Sequence, residues 1–116
     1  MNGIESIAAE RQRQIEKEGW TSEHDDCHRD GSLADAAACY AMPLKIEISG
    51  YGIKLLKPER ETEDHYNDLP IGWPSSWNAV WWKPKSYRED LVRAGALIAA
   101  EIDRLDRTTN KGRSGG

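Results

Sequence analysis

Hydrophobic positions recur with helical spacing in three segments of the chain. The first segment runs from about residue 4 to residue 18 and stops at Gly19, and its predicted apolar stripe comprises Ile4, Ile7, Ala8, Arg11 and Ile15. A different face of this segment carries Glu10, Gln14 and Lys17. The sequence therefore predicts an opening helix with one packing face and one polar face.

The second segment covers residues 33–42 and is rich in alanine. Ser32 is its predicted N-cap and Pro43 ends it. Its apolar stripe comprises Leu33, Ala36, Ala37, Tyr40 and Ala41. Because such a thin helix is not stable alone, we expect it to pack closely against a neighbour.

The third segment gives the clearest helical pattern. Ser86 and Glu89 have the spacing of a capping box, and the predicted helix continues to about residue 106. Its predicted buried face comprises Leu91, Ala94, Gly95, Ile98, Ile102 and Leu105. The polar residues 108–116 are predicted to form a disordered tail.

Residues 43–85, between the second and third helices, do not keep helical spacing. The stretches LKIEIS and YGIKLL alternate apolar and polar side chains around a Ser-Gly turn, which indicates a short β-hairpin. Residues 73–82 then carry four of the five tryptophans. The predicted fold is thus mainly α: one domain over residues 1–107, a small bundle of three principal helices with a β-hairpin or irregular insertion. Such a thin bundle is expected to complete its core by self-association.

Composition narrows the classes of function. The mean hydropathy is −0.77 and no apolar run approaches the length of a membrane span, so we expect a cytoplasmic protein without a membrane partner. The net charge of −4 argues against general nucleic-acid binding, but a small phosphorylated ligand needs only a local group of cations. Two cysteines do not form a disulfide framework, and both are expected to be free.

The stretch EHDDCH, residues 23–28, carries the densest group of ionisable side chains. In one interpretation these side chains cap backbone N–H groups after Thr21 or Ser22 and form ion pairs. In another, His24 and His28 stand one helical turn apart and contact a ligand or Zn²⁺, which would need further ligands. The sequence leaves both interpretations open.

The stretch ERQRQIEKEGW, residues 10–20, resembles the opening helix of small phage-encoded MazG-like proteins. YREDLVRAGALIAAEIDRL, residues 87–105, resembles their last helix, and the whole arrangement also resembles a group of uncharacterised small phage and prophage proteins. MazG-like enzymes are all-α nucleoside triphosphate pyrophosphohydrolases that hold Mg²⁺ with E-x-x-E and E-x-x-D motifs. The second helix here reads GSLADAAACYA and lacks the paired glutamates.

The resemblance nevertheless implies where a magnesium site would lie. Glu23 and Asp26 have the E-x-x-D spacing and are the candidate catalytic residues, and Asp90 falls where the aspartate of the second motif is expected. If these carboxylates and Glu10 converge, they offer the hard oxygen ligands that Mg²⁺ prefers. The ion would neutralise phosphate charge and activate an attacking water.

The tryptophans between residues 73 and 82 admit two interpretations. With no phenylalanine in the chain, they can form much of the hydrophobic core. Alternatively, Trp81 and Trp82 provide a stacking wall for a nucleobase, with cations nearby for phosphate. The complete set of predicted ligand-binding residues is Glu10, Arg11, Gln14, Lys17, His24, His28, Trp81, Trp82, Lys83 and Arg88.

Three functions follow as hypotheses. The first is a phage or prophage accessory protein that binds a nucleotide or related phosphorylated molecule and sequesters a host signalling nucleotide. The second is a Mg²⁺-dependent, MazG-like pyrophosphohydrolase. The third is an acidic inhibitor that binds a host defence protein through the acids of residues 59–64.

Overall fold

The computed structural model describes residues 1–56 and 69–114 of the chain. Within these residues the fold is mainly helical and includes one antiparallel two-stranded sheet, which confirms the predicted fold class at that level. A short 3₁₀ turn at Ala79–Trp81 precedes the last helix. The elements are α1 (Gly3–Lys17), α2 (Ser22–Asp26), α3 (Ser32–Ala41), β1 (Lys45–Ser49), β2 (Gly52–Leu56) and α4 (Tyr87–Ser114).

Helix α1 begins with a capping box that sequence reasoning did not identify. The Asn2 side chain accepts a hydrogen bond from the Glu5 backbone N–H at 2.9 Å, and the Glu5 carboxylate accepts from the Asn2 N–H at 3.0 Å. The predicted apolar stripe of this helix was wrong in part: Ile7, Arg11 and Ile15 are partly buried, but Ile4 is 82% exposed and the buried residues are Ser6 and Gln14. The buried face of α1 thus includes polar side chains, of which Ser6 accepts a hydrogen bond from Arg88 Nη2 at 2.9 Å.

Helix α3 packs on α4 through small side chains, as its alanine content predicted. Leu33, Ala36 and Ala37 are almost completely buried between the two helices. The predicted N-cap was wrong, because Gly31 caps the helix in a left-handed conformation with φ of 79°. Ser32 lies inside the helix, and its backbone N–H donates to the Asp30 carboxylate at 3.1 Å.

Helix α4 starts where the sequence predicted, with the Ser86 hydroxyl accepting from the Glu89 N–H at 3.2 Å. It continues to Ser114, so the predicted end at residue 106 was wrong and the described part of the predicted tail is helical. No proline interrupts residues 107–114, and adding a turn to an existing helix needs no new nucleation.

The buried face of α4 is rotated relative to the predicted one. Of the predicted residues, Ala94 is buried, but Leu91, Ile98, Ile102 and Leu105 are 41–52% exposed. Alanine-rich α3 approaches the neighbouring stripe, whose buried side chains are Asp90, Ala94, Leu97, Ala100 and Arg104. At Gly95 an added Cβ would lie 2.6 Å from Ile7 Cδ1, so glycine permits the close contact between α1 and α4.

The β-hairpin pairs β1 with β2 in one register and carries an uncovered apolar side. Ile46 lies opposite Leu55 and Ile48 opposite Ile53, and all four side chains are exposed. The predicted self-association stays a prediction, which light scattering at micromolar concentration checks; the mass of a single chain would contradict it. Of the described helices, none has both the length and the apolar content needed to cross a bilayer.

The hydrophobic core lies between α3, α4 and the tryptophan-rich segment. Trp77 and Trp82 belong to it, with Trp73 and Trp81 packed at its edge. Its buried members are Trp20, Leu33, Ala36, Ala37, Cys39, Tyr40, Trp77, Trp82, Ala94, Leu97 and Ala100. Tryptophan therefore supplies the large apolar surface that the small residues of the helices do not.

Candidate functional site

The EHDDCH stretch forms the single helical turn α2 and the residues after it. Thr21 is the N-cap, and its hydroxyl accepts from the His24 N–H at 3.4 Å. Asp25 is completely buried, whereas Glu23 and Cys27 are exposed. The turn thus points one carboxylate into the protein and leaves His24 and His28 on a partly exposed face.

The buried carboxylate of Asp25 joins α2 to α1. Arg11 Nη2 lies 2.5 Å from Asp25 Oδ2, and Arg11 Nη1 donates to the Trp20 carbonyl at 3.3 Å. The other carboxylate oxygen of Asp25 lies 3.2 Å from His24 Nδ1. Arg11 therefore positions α2, and through Asp25 it also orients the His24 ring.

Beside this ion pair lies a hollow that we call the aromatic cleft. Its volume is about 230 Å³, and it is lined by Trp20, His24, His28, Ser76, Trp77, Asn78 and Trp81. The Trp20 ring stacks on His24 with an interplanar angle of 4°, and it contacts Trp81 at a centroid distance of 5.0 Å. Residues from the turn after α1, from α2 and its following loop, and from residues 76–81 thus converge on one aromatic hollow.

The two histidines meet inside the aromatic cleft. Their Nε2 atoms are 3.4 Å apart, and their ring centroids are 4.7 Å apart at an angle of 61°. Burial lowers the pKa of His28, and the neighbouring His24 lowers it further. His28 is thus favoured in its neutral form, with a ring nitrogen able to accept a proton, a hydrogen bond or a metal.

Tyr40 of α3 fixes the position of the segment that carries Trp81. Its hydroxyl donates to the Trp81 carbonyl at 2.6 Å and accepts from the Lys83 N–H at 3.0 Å. Burial raises the pKa of Tyr40, so the phenol keeps the proton that it donates. Tyr40 therefore links the buried core to the rim of the aromatic cleft.

We expect Tyr40→Phe to lower the free energy of unfolding by about 1–3 kcal/mol, because the Trp81 carbonyl and the Lys83 N–H lose a buried partner. Denaturant unfolding followed by tryptophan fluorescence measures this loss. Tyr51→Phe is the control, since the Tyr51 side chain is fully exposed. Equal effects of the two substitutions would contradict the role assigned to Tyr40.

A second hollow, which we call the basic groove, lies along α1 and α4. It measures about 190 Å³ and is lined by Glu10, Arg13, Lys85, Arg88, Glu89, Val92 and Arg93. Burial alone would raise the pKa of Glu10, but the hydrogen bond from Arg13 and the charges of Arg13 and Arg93 outweigh it and lower the pKa. Glu10 is therefore an ionised anchor for two arginines.

A small pocket lies between the aromatic cleft and the basic groove. It shares Trp20 and Trp81 with the cleft and Arg13 and Arg93 with the groove. Its remaining lining residues are Gln14, Glu18, Tyr40 and Lys83. Lys83 Nζ lies 5.7 Å from the centroid of the Trp81 ring. Shared walls thus connect an aromatic hollow with a group of cations.

The structure does not bring the predicted magnesium ligands together. Asp26 Oδ1 lies 2.8 Å from Arg107 Nη2, while Asp90 accepts from the Lys85 N–H at 2.7 Å. Asp90 and Arg107 lie 17 residues apart on α4, which corresponds to about 25 Å along the helix. Glu23 is exposed to solvent. Among the described residues, no three His, Cys, Asp or Glu side chains are grouped to hold a metal.

The predicted ligand-binding residues fall into distinct places. His24, His28 and Trp81 line the aromatic cleft, with Lys83 at its rim. Glu10 and Arg88 line the basic groove, and buried Gln14 lines the small pocket. Arg11 is engaged with Asp25, Trp82 is buried in the core, and exposed Lys17 lines none of these three hollows.

Several lining residues were not predicted from the sequence, namely Trp20, Trp77, Asn78, Arg13 and Arg93. Trp20 offered one signal, since a large aromatic residue directly follows the helix stop at Gly19. Its backbone N–H donates to the Gln14 carbonyl at 3.0 Å, which turns the ring back towards α2. The arginines gave no such signal, because they alternate with acids along both helices.

No family model, no curated protein and no solved structure matches this chain.

Proposed function

We propose that this protein binds a nucleotide or a closely related phosphorylated small molecule. The base would stack in the aromatic cleft and the phosphates would lie towards Lys83 and the basic groove. The observation that carries the proposal is the shared wall at Trp81, where a partly exposed indole borders both the aromatic cleft and the pocket that holds Lys83, Arg13 and Arg93.

The aromatic cleft suits a planar ring with polar edges. Trp20 and Trp77 are at most 9% exposed and form its floor, which leaves Trp81 and the histidines as the accessible surfaces. The indole N–H groups of Trp20 and Trp77 have no hydrogen-bond acceptor among the described residues. Stacking of a base on an aromatic side chain is worth roughly 1–3 kcal/mol, and Asn78 and Ser76 add polar groups at the edge.

The cations that would receive the phosphates outnumber the acids around them. The small pocket and the basic groove together are lined by five cations and three acids, in a chain whose net charge is −4. The cations are Arg13, Lys83, Lys85, Arg88 and Arg93, and the acids are Glu10, Glu18 and Glu89. The Lys83 side chain is 52% exposed and lies 4.0 Å from the Glu18 carboxylate, and it can move from Glu18 and Trp81 onto a bound phosphate.

The positions of the carboxylates favour binding over hydrolysis. Asp25 and Asp26 are held by arginines and Asp90 by a backbone N–H, so these acids are already engaged in structural contacts. Binding without hydrolysis amounts to sequestration, and the phage resemblance would make a host signalling nucleotide the ligand. The acids of residues 59–64, on which the inhibitor hypothesis depends, lie outside the described residues.

Calorimetry against a panel of linear and cyclic nucleotides, with a chelator present, tests the proposal. We expect saturable binding of at least one nucleotide, weakened about tenfold by Lys83→Ala because a charge-assisted cation–phosphate contact is lost. Lys17→Ala is the matched control, since Lys17 is exposed and lines none of the hollows. No binding across the panel, or equal weakening by both variants, would remove the proposal.

A further inference from the structure

The proposed nucleotide function uses His24 and His28 only as part of the wall of the aromatic cleft. The positions of their ring nitrogens point to a second role. The Nε2 atoms of His24 and His28 are 3.4 Å apart while the ring centroids are 4.7 Å apart, so the nitrogen edges of the two rings face each other. Both rings line the aromatic cleft, which leaves this edge accessible from solvent.

The distance between the two nitrogens matches one coordination geometry. Zinc–imidazole bonds of about 2.0–2.1 Å at the tetrahedral angle place two nitrogens about 3.3–3.4 Å apart. Neighbouring ligands of a square-planar ion at the same bond length would lie about 2.8–2.9 Å apart. The spacing of 3.4 Å therefore matches the distance between two ligands of a tetrahedral ion.

Asp25 and Arg11 hold the His24 ring from the side opposite its Nε2 atom. The Asp25 carboxylate lies 3.2 Å from His24 Nδ1, so in the tautomer with the proton on Nδ1 it accepts a hydrogen bond from His24 and the lone pair is on Nε2. Asp25 is completely buried and is itself held by Arg11 at 2.5 Å. A carboxylate behind a ligating histidine fixes the tautomer and the ring orientation and makes the imidazole a stronger ligand.

We propose that His24 and His28 form a two-histidine site for Zn²⁺, with Asp25 as the carboxylate that orients His24. No third His, Cys, Asp or Glu among the described residues completes the set. The two remaining tetrahedral positions open into the aromatic cleft, where water or an anionic ligand fills them. The inference does not rest on the proposed nucleotide function, because the ion binds to the histidines whether or not a base occupies the cleft.

Titration of the metal-free protein with zinc chloride, followed by calorimetry, tests the site. We expect one Zn²⁺ per chain, with affinity reduced at least about tenfold by His24→Gln and by His28→Gln. Cobalt chloride gives a second readout, since tetrahedral Co²⁺ absorbs visible light far more strongly than octahedral Co²⁺. Circular dichroism of each variant verifies that it is folded.

Two control variants separate this site from other metal-binding side chains. His65→Gln removes the third histidine of the chain, which lies outside the described residues, and Cys27→Ser removes the exposed thiol next to His28. Both variants are expected to bind Zn²⁺ as the unmodified protein does. The proposal is overturned if the unmodified protein shows no saturable binding, if binding survives loss of both cleft histidines, or if either control variant abolishes it.

Discussion

Arg11→Met is expected to lower the free energy of unfolding by about 3–5 kcal/mol, because it leaves a buried carboxylate without its cation. Asp25 has no exposed surface, and its closest partner is Arg11 Nη2 at 2.5 Å. His24 contacts the other carboxylate oxygen, but its imidazole is partly exposed, so we do not expect it to replace the guanidinium of Arg11. Guanidinium unfolding followed by circular dichroism measures the loss.

Two further variants test whether burial causes this effect. Arg107→Met removes a neighbouring ion pair with Asp26, whose side chains are 29% and 30% exposed, and is expected to cost at most about 1 kcal/mol. The double variant Arg11→Met, Asp25→Leu should recover most of the stability, since no charge then remains buried. If Arg11→Met and Arg107→Met lowered the free energy of unfolding equally, the assigned cause, burial of the Asp25 charge, would be contradicted.

The ion pair between Arg11 and Asp25 could not be predicted from the sequence. From local patterns, Arg11 was predicted to bind ligand, and Asp25 was part of a stretch predicted to cap a helix or form ion pairs. Their contact depends on the turn after α1, where Gly19 has φ of 74° and Trp20 folds back onto Gln14. A local pattern contains the turn residue but not the direction in which the next helix leaves it.

The helices themselves were predictable because local signals set them. Ser86 caps α4 as expected by accepting from the Glu89 N–H, and the alternation in LKIEIS and YGIKLL gives the observed hairpin. The buried face of α4 was not predictable, since the more apolar stripe stays exposed and the approach of α3 buries the neighbouring stripe, which contains Asp90 and Arg104 as well as Leu97. Tertiary contacts thus outweighed the apolar pattern of the sequence.

The same limit applies to the adjacent tryptophans Trp81 and Trp82. Both were predicted to bind ligand, yet Trp82 is 7% exposed and packs on Tyr40 at a centroid distance of 4.8 Å. Trp81 instead lines the aromatic cleft. The backbone changes from a 3₁₀ turn to an extended conformation at Trp82, so the two rings point in different directions. The sequence alone does not show which ring enters the core.

Trp82→Ala is therefore expected to lower the free energy of unfolding by about 3–5 kcal/mol, through lost burial and the cavity left beside Tyr40 and Trp73. Trp81→Ala removes a half-buried ring at the edge of the core, so its stability loss should be clearly smaller. Denaturant unfolding followed by circular dichroism measures the stability of both variants.

Ligand affinity is expected to follow the opposite order. Trp81→Ala should weaken nucleotide binding roughly tenfold or more, the equivalent of one lost stacking contact, in calorimetry under conditions where both variants are fully folded. Trp82→Ala should bind with nearly unchanged affinity, because its ring does not line the cleft. A crossed result of this kind cannot arise from general destabilisation, which would weaken binding most in the less stable variant. If binding instead falls with stability, Trp81 is a core residue and the aromatic cleft is not where the base binds.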